Sequence, residues 1–157
     1  MVLVKGSNVM HGYLGRDDLT AEVLRDGWYT TGDIAKLDED GFLFITGRLS
    51  RFSKIGGEMV PHGRIEAALH EVGGFDVQTF AVTAVPDERK GERLVILHTT
   101  DERRLPEIVE QLDRMGLPQL FIPKVSQFAK VDDLPMLGSG KLDLRAIKRM
   151  ASEVGSD

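Results

Sequence analysis

The chain has 157 residues, a formal net charge of -5 and no cysteine, which leaves room for one ordinary domain, or for a small domain with a piece of another. That charge, with neither an aromatic-basic recognition module nor a basic tail, argues against a nucleic-acid partner. The missing cysteine excludes a disulfide framework, a zinc ribbon and a thiol nucleophile. No apolar run is long enough to span a bilayer and no charged-then-apolar leader opens the sequence, so the expected setting is cytoplasmic.

In chain order, "MVLVKGSNVMHGYLG" offers a short apolar run and then glycines at 6, 12 and 15, which suits loops lying on a larger body better than a self-sufficient core. "DIAKLDEDGFLFITGR" predicts a hairpin, with strands Ile34 to Leu37 and Phe42 to Thr46 around the turn Asp38-Glu39-Asp40-Gly41. A lone hairpin is marginally stable, so residues 1–48 are expected to be β-rich, to lack a helix and a full sheet, and to belong to something larger.

After Gly47-Arg48 the pattern changes. "FSKIGGEMV" reads as two short strands around Gly56-Gly57, and "PHGRIEAALHEV" as a helix opened by Pro61 with Ile65, Ala68, Leu69 and Val72 on one face. "DVQTFAVTAVPD" and "ERLVILHTT" are β-rich runs separated by the polar loop Asp87 to Glu92. "PEIVEQLDRMG" predicts a second helix between Pro106 and Gly116, "KVSQFAKV" a third strand, and "LRAIKRMASEV" a terminal helix. Residues 49–157 are thus expected to form one compact α+β core, a short antiparallel sheet flanked by helices.

The stretch "LPMLGSGKLD", Leu134 to Asp143, is the first candidate for chemistry. A Walker-type phosphate loop needs glycine where Pro135 stands and Ser or Thr where Leu142 stands, and proline removes a backbone donor. What remains is a lysine, Lys141, on a glycine-flexible loop. Taken alone, such a lysine is usually a solvated turn residue.

Four motifs shift that balance. "GWYTTGD" (27–33), "GFLFITGR" (41–48), "KIGGEMVPHGRIEAAL" (54–69) and "LPMLGSGKLD" resemble, in order and spacing, the late motifs of the adenylate-forming (AMP-binding) superfamily, and "VKGSNVMHGYLG" resembles the segment just upstream in the same enzymes. Within it, "FSKIGGEMV" and "LPMLGSGK" are most similar to the acyl-acyl carrier protein synthetase domain of 2-acylglycerophosphoethanolamine acyltransferases. The family's Ser/Thr/Gly-rich phosphate loop has no counterpart here. The resemblance therefore implies a fragment: 1–48 as the tail of the large AMP-binding domain, and 49–157 as the small mobile C-terminal lid.

The resemblance also implies roles. Lys141 stabilises the charge that develops as a carboxylate attacks the α-phosphate of ATP. Asp33 and Arg48 bind the ribose of ATP or AMP. Ser50 stands at the hinge, where the family normally has Asp or Lys. Lys54, Gly56 and Gly57 face the thiol tunnel in the second conformation, with the glycines leaving room for a pantetheine arm. Ligands for Mg2+ are expected outside this chain. The implied partners are the missing large N-terminal domain, a fatty acid, and acyl carrier protein or CoA as acceptor. Any membrane association of the parent enzyme would use a region not present here.

On that reading the parent activates a fatty acid as acyl-AMP and passes it to acyl carrier protein for lysophospholipid reacylation, and the chain alone is inactive. The alternatives are a long-chain acyl-CoA synthetase, or a non-catalytic module that docks on a carrier protein.

Three further sets of residues need weighing. Trp28 and Tyr29 suit packing near the nucleotide. His62, Glu66 and His70 recur at helical spacing on one face, but only adjacent pairs can chelate one ion, so a capped, half-exposed helix is the better reading, with Glu66 as the family's structural glutamate. Arg89, Lys90 and Arg93 suit either CoA phosphates, an acidic carrier-protein helix or plain solvent.

Overall fold

The structure, a computed structural model, describes residues 1–154. The chain divides into two compact units, Met1–Ser50 and Arg51–Asp157. No helix among the described residues is long and apolar enough to cross a membrane.

In the first unit, β1 (Leu3–Val4), β2 (Leu24–Arg25) and β3 (Trp28–Thr30) form an antiparallel sheet in the order β1-β3-β2, with α1 (Asp17–Val23) leading into β2. The expectation that this segment lacks a helix and a full sheet is thus corrected. The β2–β3 turn is Asp26-Gly27, at φ +51° and +77°, the pair of left-handed residues that a tight type I′ hairpin requires. The second hairpin pairs β4 (Asp33–Leu37) with β5 (Leu43–Arg48). Its turn is held by Asp38 Oδ1, which accepts from the N–H groups of Phe42 at 2.8 Å and Asp40 at 3.1 Å. No residue from 1 to 50 is fully buried.

The second unit has a three-layer core. β8 (Phe80–Asp87) pairs antiparallel with β9 (Gly91–His98), and β10 (Phe128–Lys130) lies parallel on the other side of β9. The sheet is therefore mixed rather than wholly antiparallel, because α3 (Leu105–Arg114) carries the chain back across it between β9 and β10.

Alternate residues serve opposite faces. Phe80, Val82, Leu94 and Ile96 pack with α2 (His62–Gly73), α3 and the hairpin β6 (Phe52–Ile55) and β7 (Glu58–Pro61), where Ile65, Leu69 and Leu112 are all fully buried. Ala81, Val85, Val95 and Leu97 pack instead against Ile147 and Ala151 of α4 (Leu144–Val154). Both faces being covered explains why β8 and β9 read as continuous apolar runs.

The predicted third strand over "KVSQFAKV" is shorter, because Val125–Gln127 winds into a 3₁₀ turn and only Phe128–Lys130 is extended. Gln127 causes this: its Oε1 accepts the Lys124 N–H at 2.8 Å and its Nε2 donates to the Leu94 carbonyl at 3.0 Å. The core also carries one cost. His98 is 0% exposed, and neither ring nitrogen has a hydrogen-bond partner. Burial pushes its pKa down, which keeps the ring neutral.

Candidate functional site

In the first unit, antiparallel register brings Asp33 opposite Arg48 at the open end of the β4–β5 hairpin. Arg48 Nε lies 3.4 Å from Asp33 Oδ1, and its Nη2 donates to the Thr31 carbonyl at 3.0 Å. The Asp33 backbone is anchored on both sides: its N–H donates to Thr31 Oγ1 at 3.0 Å and its carbonyl accepts from Val2 N–H at 2.8 Å. The result is a half-buried carboxylate on an anchored backbone beside an exposed guanidinium, an acceptor and a donor placed together. Trp28, expected as packing, is 46% exposed, with the Lys5 ammonium 5.8 Å from the ring centroid.

In the second unit, Lys141 sits on a closed turn rather than a flexible tip. Met136 and Leu142 form a β-bridge, Leu137 N–H donates to the Lys141 carbonyl at 2.7 Å, and Gly140 N–H donates to the Leu137 carbonyl at 2.9 Å. Gly140, at φ +77°, supplies the left-handed residue that lets the chain reverse. Asp143 then caps α4, its Oδ1 accepting from Arg145 N–H at 3.0 Å and Ala146 N–H at 3.1 Å. The lysine is thus presented from a turn anchored to a helix, with its side chain exposed.

The Gly56-Gly57 pair forms the β6–β7 turn at φ +59° and +92°. A Cβ at either glycine would meet no atom of the chain within 4 Å, so within the chain it is backbone conformation that calls for glycine at these positions. The hairpin rests on the β8–β9 turn: Lys54 N–H donates to Glu92 Oε2 at 2.6 Å and Gly56 N–H to the Lys90 carbonyl at 2.9 Å. Asp87 Oδ1 holds that turn by accepting from Arg89 N–H at 3.0 Å and Lys90 N–H at 2.9 Å, and these bonds keep the Asp87 carboxyl below the usual carboxylate range. Beside it opens a cavity of about 360 Å³ lined by Ile55, Arg89, Lys90, Arg93 and Lys124 among others.

The helix-face residues are all engaged in structural bonds. His62 Nε2 lies 2.6 Å from Ser53 Oγ, and both residues are buried. Burial, with Arg51 and Lys148 nearby, lowers the His62 pKa to about 4. Glu66 pairs with Arg51 and accepts the Val82 N–H at 2.7 Å. His70 Nε2 accepts from Thr79 N–H at 2.9 Å, which leaves the ring proton on Nδ1 for the Glu66 carbonyl at 2.7 Å. His62 and Glu66 are buried rather than half-exposed, and no group of metal-holding side chains exists among the described residues. Arg51, which sequence reasoning missed, is the first residue of the second unit and forms a part-buried ion pair with Glu66. No spacing signal links positions 51 and 66.

Comparison with known proteins places these features in a family. Residues 64–141 match the AMP-binding enzyme C-terminal domain. A 2-succinylbenzoate–CoA ligase from a Geobacillus species is 40% identical over 154 residues, 95% of this chain and 30% of the relative. A long-chain-fatty-acid–CoA ligase from Yersinia pestis is 37% identical over 156 residues, 98% of this chain and 27% of the relative. The o-succinylbenzoate CoA synthetase of Bacillus subtilis, solved in complex with its acyl-adenylate intermediate, superposes with a TM-score of 0.76 at 27% identity, over 93% of this chain and 29% of that one. This chain therefore spans less than a third of the length of these relatives, and its second unit is the small α+β C-terminal domain of the adenylate-forming superfamily.

Proposed function

We propose that this chain acts as the closing part of an ATP-dependent ligase that activates a carboxylate as acyl-AMP and passes the acyl group to a pantetheine thiol. In the first step a carboxylate oxygen bonds to the α-phosphorus of ATP and pyrophosphate leaves. In the second, the thiol sulfur bonds to the acyl carbon, its proton is lost and AMP leaves. Asp33 accepts from the ribose hydroxyls, Arg48 donates to the same sugar, and Lys141 stabilises the charge on the phosphoryl oxygens in the first step. Ser50 is the hinge between the two steps. The missing triphosphate cradle and the Mg2+ ligands belong to a larger body, so the chain alone does not form acyl-adenylate.

The observation that carries this reading is the assignment of the two groups of functional residues to different units. The Asp33–Arg48 pair belongs to the unit that ends at Ser50, and the hydrogen-bonded Lys141 turn belongs to the next. A second feature supports the larger body. Leu37, Phe42, Leu43, Phe44 and Ile45 on the β4–β5 hairpin are each more than half exposed, an apolar surface of the kind that marks a contact site. We read residues 1–48 as the tail of the large domain for that reason.

For the acceptor, the basic cavity lined by Arg89, Lys90, Arg93 and Lys124 suits the phosphates of CoA, and the CoA ligases among the relatives favour the same choice. Acyl carrier protein, with lysophospholipid reacylation as the purpose, is the second reading. It is favoured by the wording of "FSKIGGEMV" and "LPMLGSGK".

The test uses the full-length protein. Lys141→Ala should slow adenylation, measured as carboxylate-dependent pyrophosphate exchange, by roughly 10²–10³-fold. Preformed acyl-adenylate supplied to the same variant should still be consumed by the thiol at near-normal rate. Collapse of both steps in a folded variant would remove Lys141 from this role.

A further inference from the structure

We propose that Glu92 is a positioning residue for the thiol acceptor: its carboxylate fastens the Lys54–Gly57 hairpin tip to the basic β8–β9 turn, so that the two move and bind as one surface. This rests on the proposed reading of the hairpin and cavity as the acceptor side.

Hairpin geometry leads to the carboxylate. With a two-residue turn, Ile55 and Glu58 form the closing hydrogen-bonded pair, and the next pair, Lys54 and Met59, is non-bonded. The Lys54 N–H therefore points away from β7 and has no partner within its own hairpin. The Gly56 N–H, in the turn itself, is also left over. Both are satisfied from one place: Glu92 Oε2 takes the first at 2.6 Å and the Lys90 carbonyl the second at 2.9 Å. The backbones also run close, since a Cβ on Gly91 would stand 3.6 Å from the Lys54 carbonyl oxygen. Asp87 fixes the same turn from the other end.

A two-stranded hairpin has little stability of its own, so its tip stays where its outer donors are held. An ionised carboxylate is a stronger acceptor than a neutral oxygen. It also stands at the start of β9, beside Arg93 and next to the turn carrying Arg89 and Lys90, so the residue that holds the hairpin sits among the cations that line the cavity. A pantetheine arm reaching Gly56-Gly57 while its phosphates meet Lys90 needs those two elements at a constant separation. Glu92 sets that separation without touching the acceptor.

Two measurements test this. In the chain itself, hydrogen exchange at the Lys54 and Gly56 amides should rise by roughly 10–100-fold in Glu92→Ala, the scale for losing a charge-assisted bond. Amides of α2 and of central β8 and β9 should keep their protection, which shows that the fold persists. In the full-length protein, the same variant should raise KM for CoA by about tenfold, with kcat and pyrophosphate exchange within about twofold. Glu92→Gln, which keeps an acceptor oxygen, should fall between.

Unchanged exchange at Lys54 would overturn the proposal. So would a loosened hairpin with an unchanged KM. Lys90→Ala separates the two levels of inference. If it raises KM for CoA and Glu92→Ala does not, the acceptor reading stands and the role of Glu92 is refuted. If adenylation proceeds and neither variant changes KM, the acceptor reading of this cavity falls and takes the role of Glu92 with it.

Discussion

His62 makes the second unit acid-sensitive in a calculable way. The residue is 4% exposed, and its ring is bonded to the buried Ser53 hydroxyl and faces the charges of Arg51 and Lys148. Burial first, and those cations second, lower its pKa from 6.5 to about 4. In the unfolded chain His62 takes a proton below pH 6.5, while in the folded protein it does not until about pH 4. Between those values the unfolded state binds more protons, so stability falls as pH falls, at up to about 1.4 kcal/mol per pH unit. The contribution is complete above pH 6.5, and about 2.5 kcal/mol of it is gone by pH 4.5. The measurement must be a difference, so that contributions common to both proteins cancel. Urea denaturation of the wild type and of His62→Gln should be compared at several pH values, followed by circular dichroism because the single tryptophan, Trp28, reports on the first unit. The stability advantage of the wild type at pH 7.5 should shrink by about 2–3 kcal/mol at pH 4.5. An imidazole resonance that titrates near 6.5 in the folded protein, or a difference that does not vary with pH, would refute the reasoning.

Other features lead to shorter tests. His98→Leu replaces two unbonded buried nitrogens with apolar atoms and should stabilise the protein by about 1 kcal/mol or more; a lower melting temperature would mean that the ring has a partner. Hydrogen exchange should be faster over residues 1–50, where nothing is fully buried, than over 51–154; equal protection would mean that the first unit is held as firmly as the second. In the full-length protein, Ser50→Pro should spare adenylation or thioester formation but not both, because a φ fixed near -65° suits only one of two orientations; stopped-flow measurement of each half-reaction decides, and unchanged rates in both would move the hinge elsewhere.

The parts of the fold that were legible in sequence are those where one local pattern decides the outcome. α4 runs over the predicted "LRAIKRMASEV", since Ile147 and Ala151 keep helical spacing and Asp143 caps its start. The β6–β7 hairpin was legible from its glycine pair, whose positive φ values fit the turn. The β2–β3 hairpin was overlooked despite Asp26-Gly27, a strong turn signal, because its strands are only two and three residues long. The direction of β10 was not legible at all. An apolar run carries no information about parallel or antiparallel pairing, which here depends on the α3 crossover. Of the candidate site, motif residues could be named but their supports could not. Ser53–His62, Arg51–Glu66 and Lys54–Glu92 join residues 9, 15 and 38 positions apart, and none of these spacings repeats in a way a sequence displays.

Those supports bear on Ser50, which we propose as the hinge and where the resemblance implies a charged residue that would hold one orientation of the lid. Here the neighbours are already tied, each to its own unit. Before Ser50, Leu49 N–H donates to the Gly32 carbonyl at 2.7 Å and Arg48 pairs with Asp33. After it, Arg51 pairs with the buried Glu66 and its Nη1 reaches the Val82 carbonyl at 3.4 Å. Rotation that pulled Arg51 from Glu66 would leave the buried Glu66 carboxylate without its cation, and so costs more than rotation about a residue with a small side chain. On the reading of Ser50 as the hinge, the anchors on either side confine φ/ψ change to the residue between them. Arg48 and Arg51 each hold the end of their own unit, and on that reading Ser50 needs only to turn.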